Sequence, residues 1–442
     1  MKYSKITMSV LLALGIQAQA QAVDLLETYH AAQGQDAVFA SARASQQAGK
    51  EKLSQGRATM LPSVNLSANS TYYDNQIDYS ASSKSLNYNS SGVGVTLVQP
   101  LFRQQNWLAY TESELQVAIS DAQFHLAEQD LIVRVAQAYF DVLISQDSVQ
   151  LAEAQKKAIA EQLEQARRNF EVGTATITDT YEAQARFDLT NAQLIAAQSN
   201  LEIKRRSLQQ IANANPGELK PIGTELKLDV PQPTDVSKWV DDAQQHNLQI
   251  VIAQAGAELA DKEVARNRGG HYPTLDLVAN VSKSSANGGT FTGTGYGSSD
   301  TTSKSVGVQL NMPLFQGGAT QSKWREAEAN RDKAQQDLEN ARRSVGVQVR
   351  QAYLGVESGI AQVHALRQAL KSSESLLQAS KLGQNVGVRT SLDVLNAQQQ
   401  LFSTRRDLYQ AQYNYLVSQL RLKAAAGNLT EADLARVNQA LH

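Results

Sequence analysis

The sequence predicts a mainly α-helical chain with four amphipathic β-strands and an internal two-fold repeat. Three observations predict it. The first is where the prolines fall. All eight lie at Pro62, Pro100, Pro216, Pro221, Pro231, Pro233, Pro273 and Pro313, leaving residues 101–215 and 314–442 without one. Proline breaks helix interiors, and both free stretches are rich in the strong helix formers Ala, Gln, Leu, Glu and Arg. The second is a seam of positions stepping by three and four residues in each stretch, the 3.5-residue spacing of coiled helices. The third is a turn written twice, 214 positions apart: VGTATITDTYEAQ at 172–184 and VGVRTSLDVLNAQ at 386–398.

The elements follow in chain order. Lys2 and Lys5 precede an apolar run from Val10 to Ile16, and Ala18-Gln19-Ala20 supplies small residues at a cleavage-like spacing. Residues 1–22 therefore read as a secretory signal peptide, and the chain as exported. Elsewhere no apolar run reaches the ~18 residues of a membrane-spanning helix. Residues 23–61 carry a helical pattern. In 62–102, Val64, Leu66 and Ala68 alternate with polar residues after Pro62, and Val93, Val95 and Leu97 do so before Pro100. This is the period-2 pattern of a strand pair, with a polar loop expected at 74–87.

Residues 103–213 read as the first helical hairpin. Val149, Ala152, Lys156, Ile159, Leu163, Ala166 and Phe170 form one seam; Phe187, Thr190, Leu194, Ala197, Leu201, Lys204, Leu208 and Ile211 form the other. Gly173 falls between them, where a helical turn favours a residue with positive φ. The first arm, counted from Arg103, spans about 65 residues, roughly 100 Å at 1.5 Å per residue. No globular domain needs so long an arm, so it spans a gap. Residues 214–272 open with the Pro/Gly-rich linker NPGELKPIGTELKLDVPQP, with a short strand expected at Leu226–Val230, and continue in a helical pattern over 235–268. In 273–315 a second strand pair repeats the first: Leu275, Leu277, Ala279 and Val281, then Val306, Val308, Leu310 and Met312, around a polar loop expected at 287–301. Residues 316–426 form the second hairpin, with seams at Val363, Leu366, Leu370, Ser373 and Leu377 and at Leu401, Thr404, Leu408, Ala411, Tyr415, Ser418 and Leu422, turning at Gly387. Residues 427–442 are a C-terminal segment.

Composition excludes several functions. The formal net charge is −2, which offers no basic surplus for nucleic acid. The chain has no cysteine, so disulfides, thiolate catalysis and Cys-based zinc sites are excluded. No two of His30, His125, His246, His271, His364 and His442 show metal-ligand spacing on a helix. GGTFTGTGYG at 288–297 has closely spaced glycines but lacks the Lys-Ser/Thr and the strand–helix setting of a phosphate loop; a surface hairpin loop is expected. Gly-x-Ser-x-Gly is absent. No catalytic residue, cofactor or metal is assigned. Trp107 and Trp324 each follow a strand pair, and read either as membrane-interface anchors or as ordinary packing residues.

Four amphipathic strands cannot close a barrel, since the smallest membrane barrels need about eight. Either the strands pair with those of other copies, or the sheet packs on helices as a soluble domain. At this point Pro62…Pro100-Leu101-Phe102 and Pro273-Thr274-Leu275-Asp276-Leu277…Pro313-Leu314-Phe315-Gln316-Gly317-Gly318 resemble the strand borders of the TolC family of outer-membrane channel proteins. The doubled VG-x-x-T-x-x-D turns resemble that family's periplasmic tips. The resemblance covers residues from about 24 to 441. It implies a homotrimer in which each chain gives four strands to a 12-stranded β-barrel in outer-membrane lipid. Each chain also gives two hairpins to an α-barrel across the periplasm, closed at the tip. It implies an exit duct for efflux of small molecules, for type I protein secretion, or for both, opened by a periplasmic adaptor (membrane fusion) protein and an inner-membrane transporter. The alternative class is a periplasmic coiled-coil adaptor or structural protein with a soluble β-domain.

Asp179 and Asp393 carry two readings. Thr176 and Thr390 stand three residues before them, the form of a helix start with an acid in its first turn. The resemblance adds a gate. Carried over by position, Arg389 pairs with Thr178 and Asp179 across hairpins, and Asp393 belongs to a cation-selective ring. The family's tyrosine latch falls on Gln384, and its second ring aspartate on Asn396. Carboxylates crowded round a narrow axis attract cations and raise one another's pKa.

Overall fold

The computed structural model describes residues 22–80, 82–213, 218–223, 226–293 and 295–441. Residues 1–21 of the expected signal peptide, residue 81 of the expected loop at 74–87, 214–217 and 224–225 of the linker, residue 294 of the glycine-rich stretch and His442 lie outside the described residues. The elements run α1 (Leu25–Gln35), α2 (Ala37–Ala58), β1 (Ser63–Tyr79), β2 (Ser82–Phe102), α3 (Gln104–Glu171), α4 (Ile177–Ala212), α5 (Val236–His246), α6 (Leu248–Arg268), β3 (Thr274–Phe291), β4 (Tyr296–Asn311), α7 (Ala319–Asn385), α8 (Ser391–Ala426) and α9 (Glu431–Asn438). The chain divides into two compact units. One holds the segments up to Ala40, Glu128–Trp239 and from Val349 onward; the other holds Ser41–Ala127 and Val240–Gln348.

In the second unit the four strands form one antiparallel sheet in the order β1-β2-β3-β4. Register aligns the apolar residues on one face. Leu66 pairs with Val95 and Val95 with Val281; Val64 pairs with Leu97, Leu97 with Ala279 and Ala279 with Val306. Among the described residues no helix covers this face: Leu66 is 73% exposed, Val306 76% and Leu310 68%. Both edge strands lack an outer partner among the described residues. The strands also run further than their hydropathy predicts. The expected loop at 74–87 is paired over 74–79 and 82–87, with Asp74 opposite Asn87 and Ile77 opposite Lys84. The expected loop at 287–301 shrinks to the connection between Phe291 and Tyr296, whose rings meet edge to face at 5.6 Å. Ladder hydrogen bonds are made by the backbone, so polar rows of Ser, Thr and Asn extend a sheet as well as apolar ones do.

At the sheet's helical end the Arg103 guanidinium, just before α3, donates from Nε and Nη2 to the Asp276 carboxylate of β3 at 2.8 and 2.6 Å. Asp276 is buried. This two-pronged geometry is the strong form of the ion pair. It ties the first strand pair to the second where the helices begin.

In the first unit the expected N-terminal helix is two helices. The break falls at Asp36, whose backbone is extended and whose carboxylate accepts from the Phe39 N–H at 2.7 Å. The same carboxylate takes both Nη atoms of Arg134 at 3.0 and 3.1 Å. Arg134 foremost holds the Asp36 pKa below the usual carboxylate range. A buried acid that serves as a cap interrupts the helix while satisfying the start of the next one. The expected strand at Leu226–Val230 does not form. Its backbone is satisfied by side chains instead: Tyr415 Oη accepts from the Asp229 N–H at 2.7 Å, and Arg367 donates to the Leu226 carbonyl at 3.0 Å. The linker makes single bridges elsewhere, Leu219 to Val23 and Ile222 to Leu441.

Each hairpin seam is buried at part of its positions, among them Leu163, Leu208, Val363 and Leu408, while Phe170, beside the tip, is exposed. Leu163, Ala166 and Ala183 pack together with Phe187 against them, and Val363, Leu408 and Ala411 pack with Leu366 and Leu370. Polar seam members find partners: Lys156 donates to Asn191 at 2.7 Å and Lys204 to Asp141 at 2.7 Å. Among the described residues no helix is long and apolar enough to cross a membrane.

Candidate functional site: the two helical tips

The repeated turn motif builds the same structure twice. Gly173 has φ +78° and Gly387 φ +79°, the left-handed region that an L side chain adopts only with strain. Behind each glycine the chain closes back on its helix. Thr174 and Ala175 donate to the Asn169 carbonyl at 2.8 and 3.2 Å; Val388 and Arg389 donate to the Gly383 carbonyl at 2.8 and 3.1 Å. The bonds satisfy carbonyls that a helix end leaves open.

Both threonines then start the next helix with a full capping box. Asp179 Oδ2 accepts from the Thr176 N–H at 2.9 Å and from Thr176 Oγ1 at 2.8 Å. Asp393 Oδ2 accepts from the Thr390 N–H at 2.8 Å and from Thr390 Oγ1 at 2.9 Å. The recurring acid is thus a cap in both tips. The Thr390 hydrogen bonds, aided by Arg389, lower the Asp393 pKa within one chain.

The other sequence candidates lie around these caps. Arg389 Nη1 stands 3.7 Å from Asp393 Oδ1, so its partner inside the chain is its own helix start. Thr178 is exposed on the first turn of α4. Gln384 Nε2 donates to Ser391 Oγ at 3.0 Å, bracing the second turn. Asn396 does not stand free: Arg186 Nη2 donates to its Oδ1 at 3.1 Å, and Arg186 Nη1 donates to Gln399 Oε1 at 2.5 Å. Arg186 and Gln399 carry no sequence signal, because position 186 lies outside the doubled motif. Gly383 was also silent. A Cβ there would lie 2.6 Å from Arg389 Cγ, so the glycine makes room for the arginine stem.

The remaining candidates sit away from the tips. Trp107 is largely exposed, and Trp324 lies under Arg268, with the guanidinium carbon 5.9 Å from its ring centre. Residues 288–291 and 296–297 of the glycine-rich stretch close the β3–β4 hairpin. No group of three or more His, Asp or Glu side chains among the described residues is arranged to hold a metal.

An edge-open sheet with an uncovered apolar face, leading into two hairpins with matching tips, defines one share of a multimeric membrane channel wall. The comparisons identify which. The sequence profile described as outer membrane efflux protein matches residues 28–214 and 239–428, one match to each half of the repeat. The outer membrane protein TolC of Escherichia coli is 34% identical over 97% of this chain and 87% of its own length. The alkaline protease secretion protein AprF of Pseudomonas aeruginosa is 33% identical over 96% of this chain and 88% of its own. The crystal structure of the Campylobacter jejuni CmeC outer membrane channel superposes with a TM-score of 0.78 at 15% identity, covering 100% of this chain and 98% of that one. The chain belongs to the outer membrane efflux protein family. It is an outer-membrane channel protein of the efflux and type I secretion class, reaching into the periplasm. Channels of this family are homotrimeric ducts that work with efflux pumps.

Proposed function

We propose that three copies of this chain form an exit duct whose periplasmic end is closed by the two tips of each chain. The observation that carries the reading is the sheet: its apolar face and both edges are left for lipid and for neighbouring copies. Lipid tolerates no open strand edge, so closure falls to other copies. The duct itself catalyses nothing. It holds no nucleotide or ion-coupling motif, so an inner-membrane transporter supplies the energy and a periplasmic adaptor couples the two. Its cargo is small molecules, secreted proteins or both.

At the tip, Arg389 latches the closed state towards Thr178 and Asp179 of a neighbouring hairpin, Gln384 braces the turn, and Asp393 forms the cation-selective ring. Gly173 and Gly387 shape the turns, and Asn396 leaves the ring one charge poorer in each chain. The test is planar-bilayer recording of the purified trimer. Arg389→Ser should raise single-channel conductance; an unchanged conductance removes Arg389 from the latch. A deletion strain scored both for drug sensitivity and for missing secreted proteins assigns the cargo.

A further inference from the structure

We propose that Arg186 is a second, intrachain clip that ties the first hairpin to the second near the tip, and that its release lets the two hairpins part about a fixed anchor further up. The proposal rests on the channel reading above. Four observations carry it.

Arg186 sits two turns beyond the Asp179 cap on α4, and its two terminal nitrogens reach α8 at Asn396 and Gln399. These acceptors are three residues apart, hence on one face of α8. The planar fork of a guanidinium suits two neighbouring acceptors, where an ammonium offers a single point charge. Arg389, by contrast, is engaged within its own hairpin. Among the described residues of one chain, Arg186 bridges the two hairpins near their tips.

Both acceptors are neutral carboxamides on the exposed surface. Such a link lacks the attraction of two opposite charges and stays in contact with water, so it breaks at low cost. About 25 Å further along α8, at 1.5 Å per residue, a different link joins the same hairpins. Tyr413 Oη donates to Asp147 Oδ2 of α3 at 2.7 Å, and its ring lies 5.6 Å from that of Phe140. Tyr413 is 3% exposed. A hydrogen bond from a buried hydroxyl to a carboxylate is more expensive to break than an exposed one, because the tyrosine is then left unsatisfied. The anchor holds and the clip yields, which confines opening to the hairpin ends below residue 413 of α8.

The experiment is planar-bilayer conductance of the purified full-length protein, with assembly checked as a heat-sensitive oligomer on gels. Arg186→Ala should raise conductance. So should the pair Asn396→Ala and Gln399→Ala, which removes the acceptors and leaves the arginine. An exposed link of this kind shifts an equilibrium by roughly two- to fivefold. Combining all three substitutions should add nothing beyond either set alone, because one link is lost in each case. Gln399→Glu should lower conductance when Arg186 is present and leave it unchanged in the Arg186→Ala background. Wild-type conductance with variants indistinguishable from it, additive effects of the two sets, or an equal effect of Gln399→Glu in both backgrounds would each overturn the clip. So would loss of assembly in both sets, since an exposed clip is not needed for folding. Absence of any wild-type conductance would count instead against the channel reading.

Discussion

The Asp36 carboxylate shows how one residue sets a fold boundary and a pH response together. It ends α1, caps α2 and takes both terminal nitrogens of Arg134. Removing one partner of a buried pair strands the other, so Asp36→Ala should destabilise the chain by about 3 kcal/mol at neutral pH. Arg134 holds the folded pKa below the ordinary value. The stabilisation is therefore present above the unfolded carboxylate pKa and is lost as pH falls through the folded one. The gap between wild type and variant should narrow below about pH 4. Thermal dissociation of the oligomer measured between neutral and acid pH checks both statements; a gap that stays constant would separate the stability from the ion pair.

At the scale of the element, hairpin stability resides in the seam. Leu163 packs with Ala166, Ala183 and Phe187 where α3 meets α4. Leu163→Ala should cost about 3 kcal/mol, through lost burial and the cavity left behind. Leu189, half exposed on α4, should tolerate the same change within about 0.5 kcal/mol. Unfolding of the two variants side by side decides whether seam position or hydrophobicity alone matters. The seams were legible in the sequence because a 3.5-residue repeat admits few other structures. The strand ends and the 226–230 segment were not. Hydropathy reports which side chain is buried, whereas main-chain partners decide whether a backbone pairs. Residues 74–79 and 82–87 pair because β1 and β2 are already aligned. Among the described residues, 226–230 have no neighbouring strand and take side-chain partners from α7 and α8.

At the scale of the assembled molecule, the uncovered sheet face and the tips make separate predictions. Val306 lies on the apolar face of an edge strand. Val306→Arg should cost about 2–4 kcal/mol if that face meets the middle of the bilayer. The measurement is the yield of oligomer in outer-membrane fractions, and a normal yield would place the residue in water. Asp393 bears the charge of the proposed ring. Cation selectivity should fall as pH drops through the carboxylate range, and Asp393→Ala should weaken selectivity and abolish that pH dependence. Reversal potentials across a salt gradient read both. Unchanged selectivity in the variant would take Asp393 off the pore axis. The cap from Thr390 draws the Asp393 pKa down within the chain, while crowding between copies draws it up. The pH at which selectivity is lost reports which dominates.

By itself the sequence determined the duplicated plan: strand pair, long hairpin, glycine turn and capped restart, written twice. Each of these is local, set by periodicity, proline placement, positive φ or a threonine–acid spacing, and local signals survive in a string of letters. It also determined that one chain carries too few strands to seal itself. Only the tertiary structure decided which polar groups meet across elements. Arg134 with Asp36, Arg103 with Asp276, Tyr413 with Asp147 and Arg186 with Asn396 and Gln399 are far apart in sequence and share no repeat. Their pairing depends on how helices and strands are laid side by side, and no spacing along the chain encodes that.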